Sequence, residues 1–160
     1  MGDVDGPPAE LVQRIADAVE DIERNVSDLR ELQELSRSEY RSDANGFRRD
    51  AVERKFEKLT AATLDIAKTI LRIERETVPE RRKRVISELH AIGVIDDELD
   101  RKLREVVGFR DVLAHSYGPI VNDDLVYDAL QNSLDRYVHF VEAVHQYLSE
   151  SIDWDGEPPR

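Results

Sequence analysis

The sequence predicts an all-α chain, and three observations predict it. Apolar residues recur at steps of three and four through most of its length. No segment of four to eight residues carries the period-two alternation and flanking turn signals of a strand, so a sheet is not required anywhere. Gly46, Pro79, Gly93 and Gly118-Pro119 punctuate the periodic stretches. The expected architecture is an elongated up-down four-helix bundle with one extra short helix, since apolar stripes of this kind are buried most economically against one another through short connections.

The elements follow in order. Leu11, Ile15, Val19, Ile22, Val26, Leu29 and Leu32 mark one face of a first helix, with Pro7 and Pro8 suited to its opening turn. The polar run from Ser36 to Gly46 reads as a loop. Val52, Phe56, Leu59, Thr63, Ile66, Ile70 and Ile73 alternate by four and three, a seam for packing against another helix, and the first two helices are expected to form an antiparallel pair. Val78-Pro79 closes the second helix because proline disfavours helical geometry in the residue before it. A short helix over Val85, Ile86, Leu89 and Ile92 ends at Gly93, and Asp96 is a good N-cap for a helix carrying Leu99, Leu103, Val106, Val107 and Leu113. Gly118-Pro119 stops it. Asn122 or Asp123 is then expected to cap one last helix whose apolar face runs from Leu125 to Leu148.

A chain of 160 residues with 40% hydrophobic content has the size of one domain with a sizeable core. Residues 1–8 are expected to be a flexible N-terminus, 9–151 the helical domain and 152–160 a flexible acidic tail. Cysteine is absent, which excludes disulfides, a thiolate nucleophile and cysteine-based zinc sites. The start lacks a basic region followed by an apolar one, and no apolar run approaches the roughly 20 residues of a membrane span, so a soluble, unprocessed cytoplasmic protein is expected. The net charge is -12, with 18 Arg, 5 Lys and 35 acidic residues. A negative field of that size opposes broad non-specific binding to nucleic acid, and any RNA must meet a local basic site.

The residues that offer chemistry lie near the end of the fourth apolar stretch. His90, His139 and His145 fall within periodic helices and read as structural or surface residues. His115 differs, because it precedes a Gly-Pro stop and lies near Arg110 and Tyr117. On a continuous helix Arg110 and His115 would stand about 140° apart, so they converge only if the helix unwinds near His115 or a twofold mate brings second copies opposite the first. Asp111, four residues before His115, shares its face and could orient the imidazole. The plainer reading of this group is an arginine and an aspartate making capping or ion-pair contacts, with an aromatic packed at the turn. Arg81-Arg82-Lys83-Arg84 is the one dense positive cluster; it reads either as a solvated helix face or as an RNA-contacting patch. No metal site and no cofactor are expected.

Arg110-x-x-x-x-His115-x-Tyr117 resembles the R-x4-H-x-Y motif of the HepT toxins within the HEPN superfamily of ribonucleases. The stretch Arg49-Asp-Ala-Val-Glu-Arg-Lys-Phe56 through Ile73 is similar to that family's second helix, and Gly93-Val-Ile-Asp96, with Leu99 and Val107-Gly-Phe-Arg110, is similar to its approach to the motif. The resemblance spans roughly residues 10 to 150. It implies an all-α HEPN-like fold and a metal-independent endoribonuclease of a HepT/MntA-type toxin-antitoxin system. In such a protein Arg110 and His115 are catalytic, paired across a homodimer, and Tyr117 accepts AMP from a minimal nucleotidyltransferase antitoxin. A catalytically silent HEPN dimer that binds the nucleotidyltransferase or presents a nucleotide is the alternative. One departure stands out: Asp111 occupies a place where many members carry asparagine, and its charge would hold His115 protonated while repelling phosphate.

Overall fold

The computed structural model describes residues 6–75, 77–114 and 119–152, with side chains described for 6–75, 77–111 and 122–151. Among these are seven α-helices, one 3₁₀ turn and no strand. Four long helices form the expected bundle: α1 (Ala9–Leu32), α3 (Gly46–Glu74), α5 (Asp97–Ala114) and α7 (Asp135–Ile152). Three shorter ones, α2 (Arg37–Arg41), α4 (Arg82–Ala91) and α6 (Pro119–Asn132), lie in the connections. No helix among the described residues is long and apolar enough to cross a membrane.

The first two stripes of the sequence meet as predicted. Val12, Ile15, Val19, Ile22, Val26 and Leu29 of α1 are buried, as are Val52, Phe56, Leu59, Ile66 and Ile70 of α3. Arg14 bonds Asp65 at 2.8 Å near one end of the pair and Lys55 bonds Asp28 at 2.9 Å near the other, which makes the two helices antiparallel. The same logic orients α7 against α5, through Arg136 and Glu105 at 3.1 Å. It also sets α4 antiparallel to α5, with Arg82 toward Asp111 at 3.8 Å and His90 on Asp97 at 2.6 Å.

Several boundaries differ from the sequence expectation, each for a physical reason. The run from Ser36 to Gly46 is not a plain loop. Ser36 and Glu39 form a reciprocal capping box that starts α2, and Tyr40 is wholly buried, its ring 5.5 Å from that of Tyr127. The helix α3 ends at Glu74, ahead of Pro79: Arg75 is extended and its side chain reaches Glu88 on α4. The expected single last helix is two. Asn132 and Ser133 are poor helix formers, and the Leu130 carbonyl accepts from the Gln33 side chain at 2.9 Å, so α6 ends and α7 restarts at Asp135. Neither Asn122 nor Asp123 is a cap, because α6 already begins at Pro119, a residue that suits a first helical position.

Two predicted punctuation marks act as expected. Asp96 accepts the Leu99 N–H at 2.8 Å and caps α5. Gly93 has φ +86° and closes α4: its N–H bonds the His90 carbonyl at 2.9 Å and the Val94 N–H bonds the Leu89 carbonyl at 3.2 Å. A side chain at position 93 would meet no neighbour, so its cost is purely that of the left-handed backbone. Gly93→Ala is therefore expected to lower stability by about 1 kcal/mol in urea denaturation. An unchanged midpoint would show that the turn relaxes out of this conformation.

Candidate active site

The last turns of α5 are aimed by one aromatic contact. Leu99, Leu103, Val106 and Val107 bury one face of the helix, and the next apolar residue, Phe109, meets Phe56 of α3 edge to face, with ring centroids 5.8 Å apart and planes at 77°. With Phe109 pinned to α3, the adjacent Arg110 is exposed and lines a cavity of about 160 Å³ together with Glu53, Phe56, Glu57, Thr60, Phe109 and Asn122. Among the described residues, none forms an ion pair or hydrogen bond with the Arg110 guanidinium.

The basic run divides between two places. Arg82 reaches toward Asp111, with 3.8 Å between Nη1 and Oδ1, and the Lys83 ammonium lies over Gly108, 3.5 Å from where a Cβ would stand. These two cations therefore lie against the α4-facing side of the end of α5, and neither lines the cavity that Arg110 borders. Arg81 and Arg84 instead line a separate cavity at the α3–α4 connection with Arg75 and Glu88, and Arg84 lies 3.8 Å from Glu88. The sequence showed one cluster; helix periodicity sends its members to different faces. Asp111 is ion-paired as the plainer reading supposed, and Arg82 offsets part of its charge.

His115 and Tyr117 lie outside the described residues, so the expected convergence of Arg110 with His115, and of Asp111 with His115, lies outside them as well. The helix α5 is described to Ala114. Of the other histidines, His90 bonds Asp97, while His139 lines a shallow surface cavity with Glu142 and Gln146. Glu142 and His145 have the three-residue spacing of a helical ligand pair. Among the described residues, no group of three or more His, Asp or Glu side chains is gathered as a metal ion would require.

Four polar residues at the cavity, Glu53, Glu57, Thr60 and Asn122, were not singled out from the sequence as functional. Glu53 and Glu57 stand four apart on α3, a like-charge spacing that destabilises a helix, and that spacing is the signal that would have found them. Glu53 is pushed above its usual carboxylate range chiefly by burial, then by Asp123, Asp50 and Glu57, with Arg49 partly opposing. Asn122 had been read only as a cap. Its Oδ1 is shut off from solvent and has no hydrogen-bond partner among the described residues. Thr60 spends its hydroxyl on the Phe56 carbonyl at 3.1 Å. The cavity therefore gathers two carboxylates, Glu53 and Glu57, with the Arg110 guanidinium.

Comparison with known proteins adds a family and a set of relatives in shape. A family model described as ribonuclease HepT-like matches residues 15–144. No curated protein sequence matches significantly. Among solved structures, a mutant of an MntA–HepT toxin-antitoxin superposes with a TM-score of 0.72 at 21% identity, covering 82% of this chain and 96% of that one. A tri-AMPylated Shewanella oneidensis HEPN toxin in complex with MNT antitoxin gives a TM-score of 0.66 at 21% identity, over 82% of this chain and 96% of that one. A toxin-antitoxin structure with AMP-PNP matches at 0.66 and 20% identity, over 82% and 97%. These likenesses establish the fold.

The electrostatics of Glu53 carry a stability prediction. Its folded-state pKa is raised above the ordinary 4.5, so the folded chain holds the proton more tightly than the unfolded one, and stability falls as pH rises from that value through the folded pKa. Glu53→Gln removes the penalty. The variant is expected to be more stable than the parent in urea at pH 7 and to lose that advantage at pH 4. A gain of equal size at both values would assign the effect to something other than ionisation.

Proposed function

The chain belongs to the HepT-like ribonuclease family, and from that membership we propose that it is a metal-independent endoribonuclease toxin, a cytoplasmic homodimer neutralised by a minimal nucleotidyltransferase. The observation that carries the reading is Arg110. It is exposed at the end of α5, has no partner among the described residues and borders a cavity, in a chain where most arginines are spent on aspartates and glutamates. An exposed guanidinium with no partner among the described residues suits a phosphoryl group, whose oxygens match its planar fork.

Cleavage without a metal needs a base, a cation and an acid. One His115 takes the proton of the RNA 2′-hydroxyl; the 2′-oxygen forms a bond to phosphorus, and the bond from phosphorus to the 5′-oxygen breaks. Arg110 holds the charge that builds on the non-bridging oxygens. The partner's His115 gives its proton to the leaving 5′-oxygen, so a twofold dimer supplies both proton transfers from one motif. The products are a 2′,3′-cyclic phosphate and a 5′-hydroxyl end. Arg82, 3.8 Å from Asp111, tempers the repulsion that Asp111 would exert on phosphate.

Tyr117 is the proposed point of control. Its phenolic oxygen attacks the α-phosphorus of ATP on the nucleotidyltransferase, pyrophosphate leaves, and the attached AMP adds bulk and negative charge beside the cleft. The tri-AMPylated toxin among the structural relatives supports this assignment.

Purified protein is expected to cleave mixed RNA in excess chelator, leaving 5′-hydroxyl ends. Arg110→Ala and His115→Ala should each lower the rate by about 10² to 10⁴ while leaving the fold intact. An inert parent protein would overturn the nuclease reading and favour the silent-dimer alternative. Incubation with the cognate nucleotidyltransferase and ATP should place AMP on Tyr117 in peptide mass mapping. An adduct confined to other residues would refute that role.

A further inference from the structure

Resting on the reading that this chain cleaves RNA, we propose that Phe47, in the first turn of α3, is a platform on which a base of the single strand stacks on its way to the cut. The side chain is 93% exposed. Among the described residues the next most exposed large apolar side chain is Leu125, at 38%, so Phe47 stands apart. A phenylalanine stabilises a fold through the area it buries, and here it buries almost none. Its ring belongs to neither of the aromatic pairs that the described residues form, Tyr40–Tyr127 and Phe56–Phe109.

Helix geometry ties Phe47 to the candidate site. Phe47, Asp50, Arg54 and Glu57 step by three and four residues and are all exposed, so they form one stripe along α3. The far end of the stripe, Glu57, lines the cavity that Arg110 borders. Ten residues of helix span about 15 Å, a distance within the several nucleotides that single-strand sites engage. The start of α6 fixes the same relation from another side: Asn122 lines that cavity, while Asp123 lies 3.8 Å from Arg49, two residues from Phe47.

The chemistry favours a nucleobase as the occupant. Every base has a flat π-face, and stacking on an aromatic ring needs no phosphate contact. That matters in a molecule of net charge -12, and on a stripe where Asp50 and Glu57 alternate with Arg54, because a long track of phosphates would be repelled. Two cations near the ring in the chain are nonetheless unspent on acids. Arg54 makes no ion pair or hydrogen bond among the described residues; Arg48 gives one N–H to Asn45 Oδ1 at 2.6 Å and makes no ion pair there. The segment from Arg37 to Lys58 holds seven basic and five acidic residues, against 23 and 35 in the whole chain. A single strand of RNA uses the ring and the arginines together, whereas an apolar protein anchor would use the ring alone.

The test uses the full-length protein and its Phe47→Ala and Phe47→Tyr variants, whose urea midpoints are expected to match the parent because the side chain is exposed. Binding of a short, uncleavable 2′-O-methyl single strand is read by fluorescence anisotropy. Phe47→Ala is expected to weaken it by about tenfold, within the range for one stacked base, and Phe47→Tyr to keep it. Stacking is not screened by salt, so this loss should hold its size from low to high salt, whereas the loss from Arg54→Gln shrinks. In cleavage of a long single strand, Phe47→Ala should raise KM rather than lower kcat. A Phe47→Ala variant that binds and cleaves like the parent, a loss that vanishes in high salt, or a loss that Phe47→Tyr shares overturns the platform and leaves the nuclease reading standing. So does a variant that loses only its modification by the nucleotidyltransferase, which would make the ring a protein anchor. A parent that binds through Phe47 yet cleaves no RNA overturns the nuclease reading alone, and one that neither binds nor cleaves overturns both.

Discussion

The structure depends on burying α3 from several sides at once. At 29 residues it is the longest helix among the described residues, and it packs against α1 along its length, against α2, α4, α5 and α6 elsewhere. A helix so surrounded cannot expose polar groups freely. Thr60 and Thr69 accordingly turn their hydroxyls back onto the Phe56 and Asp65 carbonyls, at 3.1 and 2.6 Å. The same burial decides where the candidate site stands. Phe56 faces the core and receives Phe109, so the end of α5 and the first turns of α6 are held over the part of α3 that carries Glu53 and Glu57.

Charge is managed locally in a molecule of net charge -12. Arg37 bonds Asp124 at 2.9 Å and Asp128 at 2.5 Å while its guanidinium lies 4.8 Å from the centre of the Tyr127 ring, and Arg41 bonds Asp124 at 2.9 Å. These contacts tie α2 to α6. Each is exposed and adds little stability by itself. The buried Tyr40 supplies the firmer anchor and the ion pairs give the orientation. Arg49 bonds the Tyr40 and Ser42 carbonyls at 2.6 Å and lies 3.8 Å from Asp123, so a single cation joins α2, α3 and α6. Against this background Arg110, at the end of α5, has no ion pair among the described residues.

Much of this was legible in advance because helix periodicity is a local property. The stripes of α1, α3, α4 and α5, the cap at Asp96 and the turn at Gly93 each depend on residues within a few positions of one another. The misses are equally specific. Ser36 and Glu39 carried a capping signal, but the run is so polar that its one buried apolar residue, Tyr40, could not be weighed without Tyr127 from across the fold. The break between α6 and α7 was hidden because the apolar spacing continues through it, with Leu130, Leu134 and Tyr137 all buried; what separates the helices is Gln33, an outside side chain bonding the Leu130 carbonyl.

The sequence by itself determined the all-α class, the antiparallel pairing of the first two long helices and, through the spacing of Arg110, His115 and Tyr117, the resemblance that leads to the family. Each is written in short-range patterns whose consequence is the same wherever the chain folds. Only the tertiary structure decided that Glu53, Glu57 and Asn122 share a cavity with Arg110, and that Arg82 and Lys83 turn to the end of α5 while Arg81 and Arg84 turn away. Those relations join residues far apart in the chain, and no local spacing encodes them: they arise because the Phe56–Phe109 contact sets the end of α5 on α3, with Asn122 of α6 at the same cavity, and because α4 lies antiparallel on α5.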